Sequence, residues 1–287
     1  MYFVYRLGVF LIRVFPYNIT TGLAYFFGFC IYLLSPRKRN YVYKNCEILL
    51  GQKNILEIRK ATKMSFINFL LNIRDYFMFL YCELDKISQI VDLDGIKDKL
   101  EEFCSSNNGL IIPTAHLGNW ELAGFVVGYL GFRAHGIGLL QSDSRIEGIF
   151  KKLREKGKVI VHPFKGGAAG VYKALKNNEI ATIVSDRDIN HNGVKVEFMG
   201  KCITFPRGIG VLAYKSGARS AIGYLVRENN KYIACLSEEI IVDRNLNEEE
   251  FVQEYVKKFA KKLESLVKKY PDQWFNFFDY FEEYKCW

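Results

Sequence analysis

The chain has 287 residues, 49% of them hydrophobic and 25% charged, which excludes a disordered tail and leaves ample material for a buried core. Lys plus Arg number 40 against 31 Asp plus Glu, a formal net charge of +9, and a basic surface of this size favours anionic partners: lipid headgroups, nucleic acid or an acidic carrier protein. Six prolines exclude a Pro-rich linker protein, and the aromatic residues, 15% of the chain, gather towards the two ends, as they do at membrane interfaces.

Residues 14–36, between Arg13 and Arg37, carry no charge, and a span of about 20 apolar residues is enough to cross a bilayer. Pro16, Asn18, Thr20 and Thr21 dilute its first half. No small-residue cleavage site follows, so a removable signal peptide is not predicted. Arg37, Lys38, Arg39 and Lys44 come next and place the following chain on the cytoplasmic side. Three readings are open: a spanning or re-entrant anchor, an in-plane amphipathic pair of helices, or a core helix of a soluble protein. The predicted division is residues 1–36 as membrane-anchoring or interfacial helices and 37–287 as a single α/β domain.

Residues 37–81 read as helical, from the apolar spacing in KNCEILL and FINFLLNIRDYFMFLY. Strands follow in GLIIPTA (109–115), KVIVHP (158–163) and IATIVSD (180–186), separated by helical patterns in NWELAGFVVGYL (119–130) and AAGVYKAL. VKVEFMG (194–200) and KCITFP (201–206) form a hairpin turning at Gly200 and Lys201. PRGIGVLAYKSG (206–217) is a helix stopped by Gly217, and SAIGYLVRE and KYIACLS are strands joined at Asn229–Asn230. Residues 247–270 form an amphipathic helix with the stripe Phe251, Tyr255, Phe259, Leu263 and Leu266. This alternation predicts an α/β fold with a mixed, mostly parallel central sheet flanked by helices, behind an N-terminal helical membrane-associating segment.

Seven cysteines are scattered at Cys30, Cys46, Cys82, Cys104, Cys202, Cys235 and Cys286, without a CxxC. The odd number and wide spacing argue against a disulfide framework and a zinc site, and for a reducing compartment. Cys46 and Cys104 read as buried.

The best chemical candidate is TAHLGNWE, with His116 and Glu121. Histidine serves as a base near neutral pH, and a carboxylate on its other ring nitrogen fixes the tautomer and steadies the imidazolium. Five residues along a continuous helix give a net rotation of about 140° at roughly 3.6 residues per turn. The two side chains therefore meet only if His116 lies in the turn before the helix and Glu121 in its first turns. Gly118 permits that turn, and Asn119 is a good N-cap.

TAHLGNWEL resembles the HxxxxD/E motif of glycerolipid acyltransferases, in particular the lipid A biosynthesis acyltransferase branch, which includes late lauroyl and myristoyl transferases and actinobacterial mannoside acyltransferases. The likeness extends in order along nearly the whole chain: an apolar N-terminus, an Arg-rich stretch with Asn45, Arg154 and Gly157 in LREKGKVI, SDRD (185–188) before VKVEFMG, FPRGIGVLAYKSGA, and YPDQWF near the end. The acid is Glu121 where many relatives carry Asp, and FPRG (205–208) has Arg207 where glycerol-phosphate acyltransferases have an acid. Both departures point to the lipid A type rather than phosphatidic acid synthesis.

The resemblance implies a membrane-associated acyltransferase that moves a fatty acyl chain from an acyl thioester, acyl carrier protein or coenzyme A, to a hydroxyl of a glycolipid such as a lipid A precursor or a phosphatidylinositol mannoside. It implies His116 as base, positioned by Glu121, with the helix start at Gly118 and Asn119 as the oxyanion region. Arg154 is the implied anion-binding residue, and Asp186, Arg187, Asp188 and Arg207 are candidates for substrate binding. The reaction takes a thioester co-substrate and needs no cofactor or metal. The implied location is the cytoplasmic (inner) membrane, with the catalytic domain facing the cytoplasm and an anionic leaflet. A lysophospholipid acyltransferase and a non-catalytic lipid-binding scaffold are the rival readings. Nucleic acid is not expected, since no recognition module is present, and GIGVLA (208–213) is a poor dinucleotide fingerprint behind Pro206. KKLREKGK (151–158) and the lysine pairs at 257–258, 261–262 and 268–269 suit an anionic surface or an acidic carrier protein, although the C-terminal pairs read first as a solvated helix face. His135 and His162 read as hydrogen-bonded structural residues and His191 as a solvated turn residue.

Overall fold

The computed structural model describes residues 2–51, 54–139 and 141–286. The first helices are α1 (Tyr2–Val14), α2 (Tyr17–Leu34), α3 (Pro36–Leu50) and α4 (Ile55–Met78). A short helix α5 (Ile87–Ile90) and strand β1 (Val91–Asp92) lead to an alternating run. It comprises α6 (Ile96–Cys104), β2 (Leu110–Thr114), α7 (Trp120–Tyr129), β3 (Ala134–Gly138), α8 (Ser144–Lys156), β4 (Val159–Pro163), α9 (Ala168–Lys176) and β5 (Ile180–Val184). Then come β6 (Val194–Phe198), β7 (Lys201–Phe205), α10 (Gly208–Ser216), β8 (Arg219–Glu228), β9 (Lys231–Glu239), α11 (Glu248–Lys269) and the single turn α12 (Tyr280–Glu283).

Among the described residues, seven strands form one sheet in the order β1-β9-β8-β2-β5-β3-β4, and β6 and β7 pair separately. Within the large sheet, β8 and β9 are the one antiparallel pair among the described residues. β2 is buried along its whole length, as expected of a central parallel strand covered on both faces. Ile111 joins the core layer under α9, α10 and α11, while Leu110 and Ile112 join the opposite layer with α6 and α7. On α11, Phe251, Tyr255, Phe259 and Leu263 are fully buried, and a capping box between Asn247 and Glu250 starts the helix.

The hairpin turns one residue earlier than expected. Phe198 pairs with Lys201, so Met199 and Gly200 make the turn, both with positive φ (57° and 71°), the pattern that matches strand twist in a two-residue loop. The cysteine expectation needs a larger correction. Cys202 and Cys286 form a disulfide across 84 residues, fastening the C-terminal segment to β7, while the Cys286 N–H donates to the Cys202 carbonyl at 3.1 Å. Cys46 and Cys104 are buried and free.

Residues 2–34 form two helices broken at Phe15–Pro16. α2 is long and apolar enough by length and composition to cross a membrane. It lies antiparallel along α4: Thr21 meets Arg74 and Gly28 meets Ile67. A Cβ on Gly28 would stand 2.8 Å from the Ile67 Cα, so only glycine permits this approach. The seam is the i, i+4 stripe Thr20, Ala24 and Gly28; Phe26, Phe29 and Leu33 are exposed on the opposite face, and Phe27, Ile31 and Leu34 are exposed along the flank of the seam. That exposure removes the reading of a soluble core helix. On α1, Val9 packs with Tyr76 and Phe77 of α4.

Candidate active site

Parallel pairing of β2 with β5 sets the register Thr114↔Val184. Two residues beyond these partners lie His116 and Asp186, so the register alone brings them side by side at the C-terminal edge of the sheet, where α/β folds bind ligands. Asp186 Oδ1 lies 2.7 Å from His116 Nδ1. Its Oδ2 accepts from the His116 backbone N–H at 3.2 Å and from Trp274 Nε1 at 2.9 Å. The ring position assigned to Glu121 by the sequence reading is therefore taken by Asp186. Burial alone would raise the Asp186 pKa, but His116, Arg187 and the Trp274 N–H outweigh it and hold the carboxyl down to about 2. An ionised carboxylate only accepts hydrogen bonds, so Nδ1 carries the proton and Nε2 is left as the basic nitrogen. The His116 side chain keeps 23% exposure, with the Trp120 ring edge-on at 5.1 Å.

The His116–Asn119 loop is held on three sides. Phe275 N–H donates to the His116 carbonyl at 2.8 Å, Gly118 N–H to the Gln273 carbonyl at 2.8 Å, and Asn119 N–H to the Leu225 carbonyl at 2.7 Å. Gly118 has φ +59°, and a Cβ there would stand 2.0 Å from the Leu225 carbonyl oxygen, so no other residue fits. Asn119 caps α7 as expected, accepting from Leu122 N–H at 3.1 Å. The expectation that Gly118 and Asn119 form the oxyanion region is corrected, because both backbone N–H groups are already used.

Glu121, in the first turn of α7, has no hydrogen bond to His116 among the described residues. It faces Arg154 at 3.9 Å, and Arg154 pairs with Glu147 at 3.0 Å. Burial raises the Glu121 carboxyl pKa, opposed by Arg154, Tyr76 and His116. Arg154 is thus placed beside the motif acid but shared between two carboxylates. Arg187 donates to Asn276 Oδ1 at 2.9 Å and to the Phe275 carbonyl at 2.7 Å, pinning the segment that carries Trp274. Asp188 accepts from Gly193 N–H at 2.8 Å and shapes its own loop. Arg207 pairs with Glu249 in the first turn of α11 at 2.5 Å and touches neither His116 nor Asp186 among the described residues. His135 and His162 bond to each other at 3.0 Å, and His135 meets Glu179 at 2.8 Å, as a structural pair.

Sequence reasoning missed the supports. Tyr280 donates its hydroxyl proton to the Asp186 carbonyl at 2.7 Å. Asn45 donates to the carbonyls of Asn276 (3.1 Å) and Phe278 (2.8 Å) and accepts from Tyr280 N–H (3.2 Å). Under the loop, Asn72 of α4 donates to the Gly118 carbonyl at 2.8 Å. The Asn119 amide donates to the Asn72 carbonyl and to Tyr232 Oη, both at 3.2 Å. The single Tyr232 hydroxyl proton lies within reach of two acceptors, Asp75 Oδ2 (2.8 Å) and Asn72 Oδ1 (2.9 Å). Asp75 is paired with Arg227 and, at 3.0 Å, with Arg74. Arg74 lies 4.1 Å over the Tyr17 ring and donates to Thr21 of α2 at 2.9 Å. An apolar cavity of about 60 Å³ adjoins the site between β2, β8 and α7, lined by Thr114, Trp120, Gly124, Val127, Gly223 and Leu225 among others.

A family model described as bacterial lipid A biosynthesis acyltransferase matches residues 1–282. Among curated proteins, a phosphatidylinositol mannoside acyltransferase of Mycobacterium tuberculosis is 26% identical over 132 residues, covering 43% of this chain and 40% of the relative. One of the same name from Mycolicibacterium smegmatis is 27% identical over 138 residues, covering 45% and 42%. These alignments thus span less than half of either relative, whereas the family match runs through His116, Asp186 and Trp274 alike: the chain belongs to the bacterial lipid A biosynthesis acyltransferase family.

Proposed function

We infer that the protein transfers a fatty acyl chain from the thioester of acyl carrier protein or coenzyme A to a hydroxyl of a glycolipid, a lipid A precursor or a phosphatidylinositol mannoside. The observation that carries the reading is the 2.7 Å contact of His116 Nδ1 with an ionised, buried Asp186, which leaves Nε2 as base on a partly exposed ring. In this mechanism Nε2 takes the proton of the acceptor hydroxyl as its oxygen bonds to the thioester carbon. The tetrahedral oxyanion is met by the first-turn N–H groups of Trp120 and Glu121, which lack intrahelical acceptors at the start of α7. Its collapse breaks the C–S bond, and imidazolium returns the proton to the departing thiolate. The ester and free thiol are the products, and Asp186 steadies the imidazolium between the two transfers. The apolar cavity beside Trp120 is the natural start of an acyl channel, although at about 60 Å³ it must widen to take a long chain.

The same reading puts the protein on the cytoplasmic face of the inner membrane, with α2 lying in the interface. Seated along α4, α2 cannot cross a bilayer without α4. Between Lys63 and Arg74 that helix has ten uncharged residues, roughly 15 Å of helix against a hydrocarbon core of about 30 Å. The exposed phenylalanines of α2 instead suit shallow burial.

The test is thiol release by the purified full chain from acyl carrier protein and coenzyme A thioesters, with and without glycolipid acceptors, and mass spectrometry of the lipid product. Acceptor-dependent release with an acylated glycolipid is expected. Release that ignores the acceptor, or acylation of lysophospholipids alone, would overturn the reading.

A further inference from the structure

Where α2 ends, it meets the beginnings of α3 and α4 around an open cleft of about 420 Å³, lined by Tyr32, Pro36, Arg39, Asn40, Tyr43 and Arg59 among others. Arg39 is fixed in place. Its Nη1 donates to the carbonyls of Tyr32 (3.2 Å) and Leu33 (3.3 Å), and its guanidinium lies 5.4 Å over the Tyr32 ring. Its Nε and Nη2 donate to nothing among the described residues, and Arg59 on the facing helix is exposed and without a carboxylate partner there. Arg37 and Lys38, in the first turn of α3, stand at the same end and, among the described residues, form no ion pair, in contrast to Lys44, which is held by Asp279 at 2.9 Å. α3 also begins here, at Pro36, with no side-chain cap from Ser35, so its positive end adds to the field. The rim is apolar: Leu33, Leu34, Ile55 and Leu56 are all at least half exposed.

We propose that this cleft binds the headgroup phosphate of an anionic membrane phospholipid, with Arg39 and Arg59 forking its oxygens and the four rim side chains entering the acyl layer. The proposal rests on the interfacial reading of α2. Guanidinium forks suit phosphate oxygens bidentately, and the exposed apolar rim selects a lipid-borne phosphate over a free one, which would gain nothing from it. The cleft shares no residue with the His116 machinery, so its occupant is a docking lipid rather than the acyl acceptor. It would fix the rotation of α2 in the interface, which an apolar face alone leaves loose.

The experiment is co-sedimentation of the full chain with phosphatidylcholine vesicles, with and without phosphatidylglycerol, at physiological salt. Binding that requires phosphatidylglycerol is expected. Arg59→Glu should weaken it about tenfold or more, since each basic residue near such a surface counts for about one to two powers of e. Lys173→Glu, the same charge change at an exposed site on α9, should weaken it less than about twofold. Arg59 is exposed, so an unchanged melting temperature verifies the fold of the variant. Equal losses in the two variants would overturn the cleft in favour of diffuse attraction. Release from vesicles by millimolar inorganic phosphate would overturn the lipid as the source of the group. Equal binding to both vesicle types overturns the cleft while sparing the interfacial reading, whereas binding to neither overturns that reading itself.

Discussion

Asp186→Asn is expected to lower kcat by about 10³–10⁴-fold, close to the loss from His116→Ala, because the amide no longer holds the ring in the Nδ1–H tautomer or balances the imidazolium. A loss of that size is about 4–5 kcal/mol of barrier. Glu121→Gln leaves the 2.7 Å contact between His116 and Asp186 intact and loosens Arg154 instead. Its kcat should fall at least about tenfold less, with the larger part of the damage in KM. Initial rates of thiol release against pH separate the two acids. With the Asp186 carboxyl held down to about 2, its protonation does not limit activity above about pH 4. The sign for stability is that of a depressed carboxyl: the contribution is complete above the unfolded value of about 3.9 and is lost as pH falls through the folded one. If Glu121→Gln abolishes turnover while Asp186→Asn keeps it, Glu121 and not Asp186 is the partner of the base.

Asp75→Ala should cost about 3–5 kcal/mol of folding stability, the range for removing one member of a buried ion pair. Its carboxylate is fully buried between Arg74 and Arg227, and it accepts from Tyr232. Without it, two guanidinium groups remain in the interior with no counter-charge. The effect reaches the site through Tyr232, Asn72 and Asn119, which hold the Gly118 carbonyl and the start of α7. Thermal unfolding should show the loss directly. At low temperature, where the variant stays folded, kcat should fall while vesicle binding is kept. A variant with wild-type melting and turnover would show that the network neither stabilises the fold nor positions the loop.

Much of this architecture was readable from residue order because the responsible signals are local. The apolar run of β2, the Asn119 cap, the Gly217 stop on α10 and the period of α11 each depend on a few neighbouring residues. β3 escaped notice because it is short and holds two glycines, Gly136 and Gly138, so its strand character comes from pairing with β4 and β5. The choice between Glu121 and Asp186 was not local at all. SDRD stood out as an acidic block, but only the adjacency of β2 and β5 places its first carboxylate on His116, and strand order is set by tertiary packing. The Cys202–Cys286 pairing hid for the same reason, since 84 residues separate its halves. Trp274 and Asn45 lay in motifs carried by the family resemblance, yet their bonding partners became visible only when the C-terminal segment was seen to run back over the loop.

The narrow seam between α2 and α4 has a practical bearing on how the enzyme can be handled. Cutting the chain at residue 37 to obtain a freely soluble catalyst would strip cover from Ile67 and Leu71, which pack with Ala24, and would leave Arg74 without Thr21. The remnant would carry a raw greasy scar above the His116 loop, and such products tend to end in inclusion bodies. Retaining the leader and thinning only its outward phenylalanines to polar side chains is the gentler route to a detergent-free preparation.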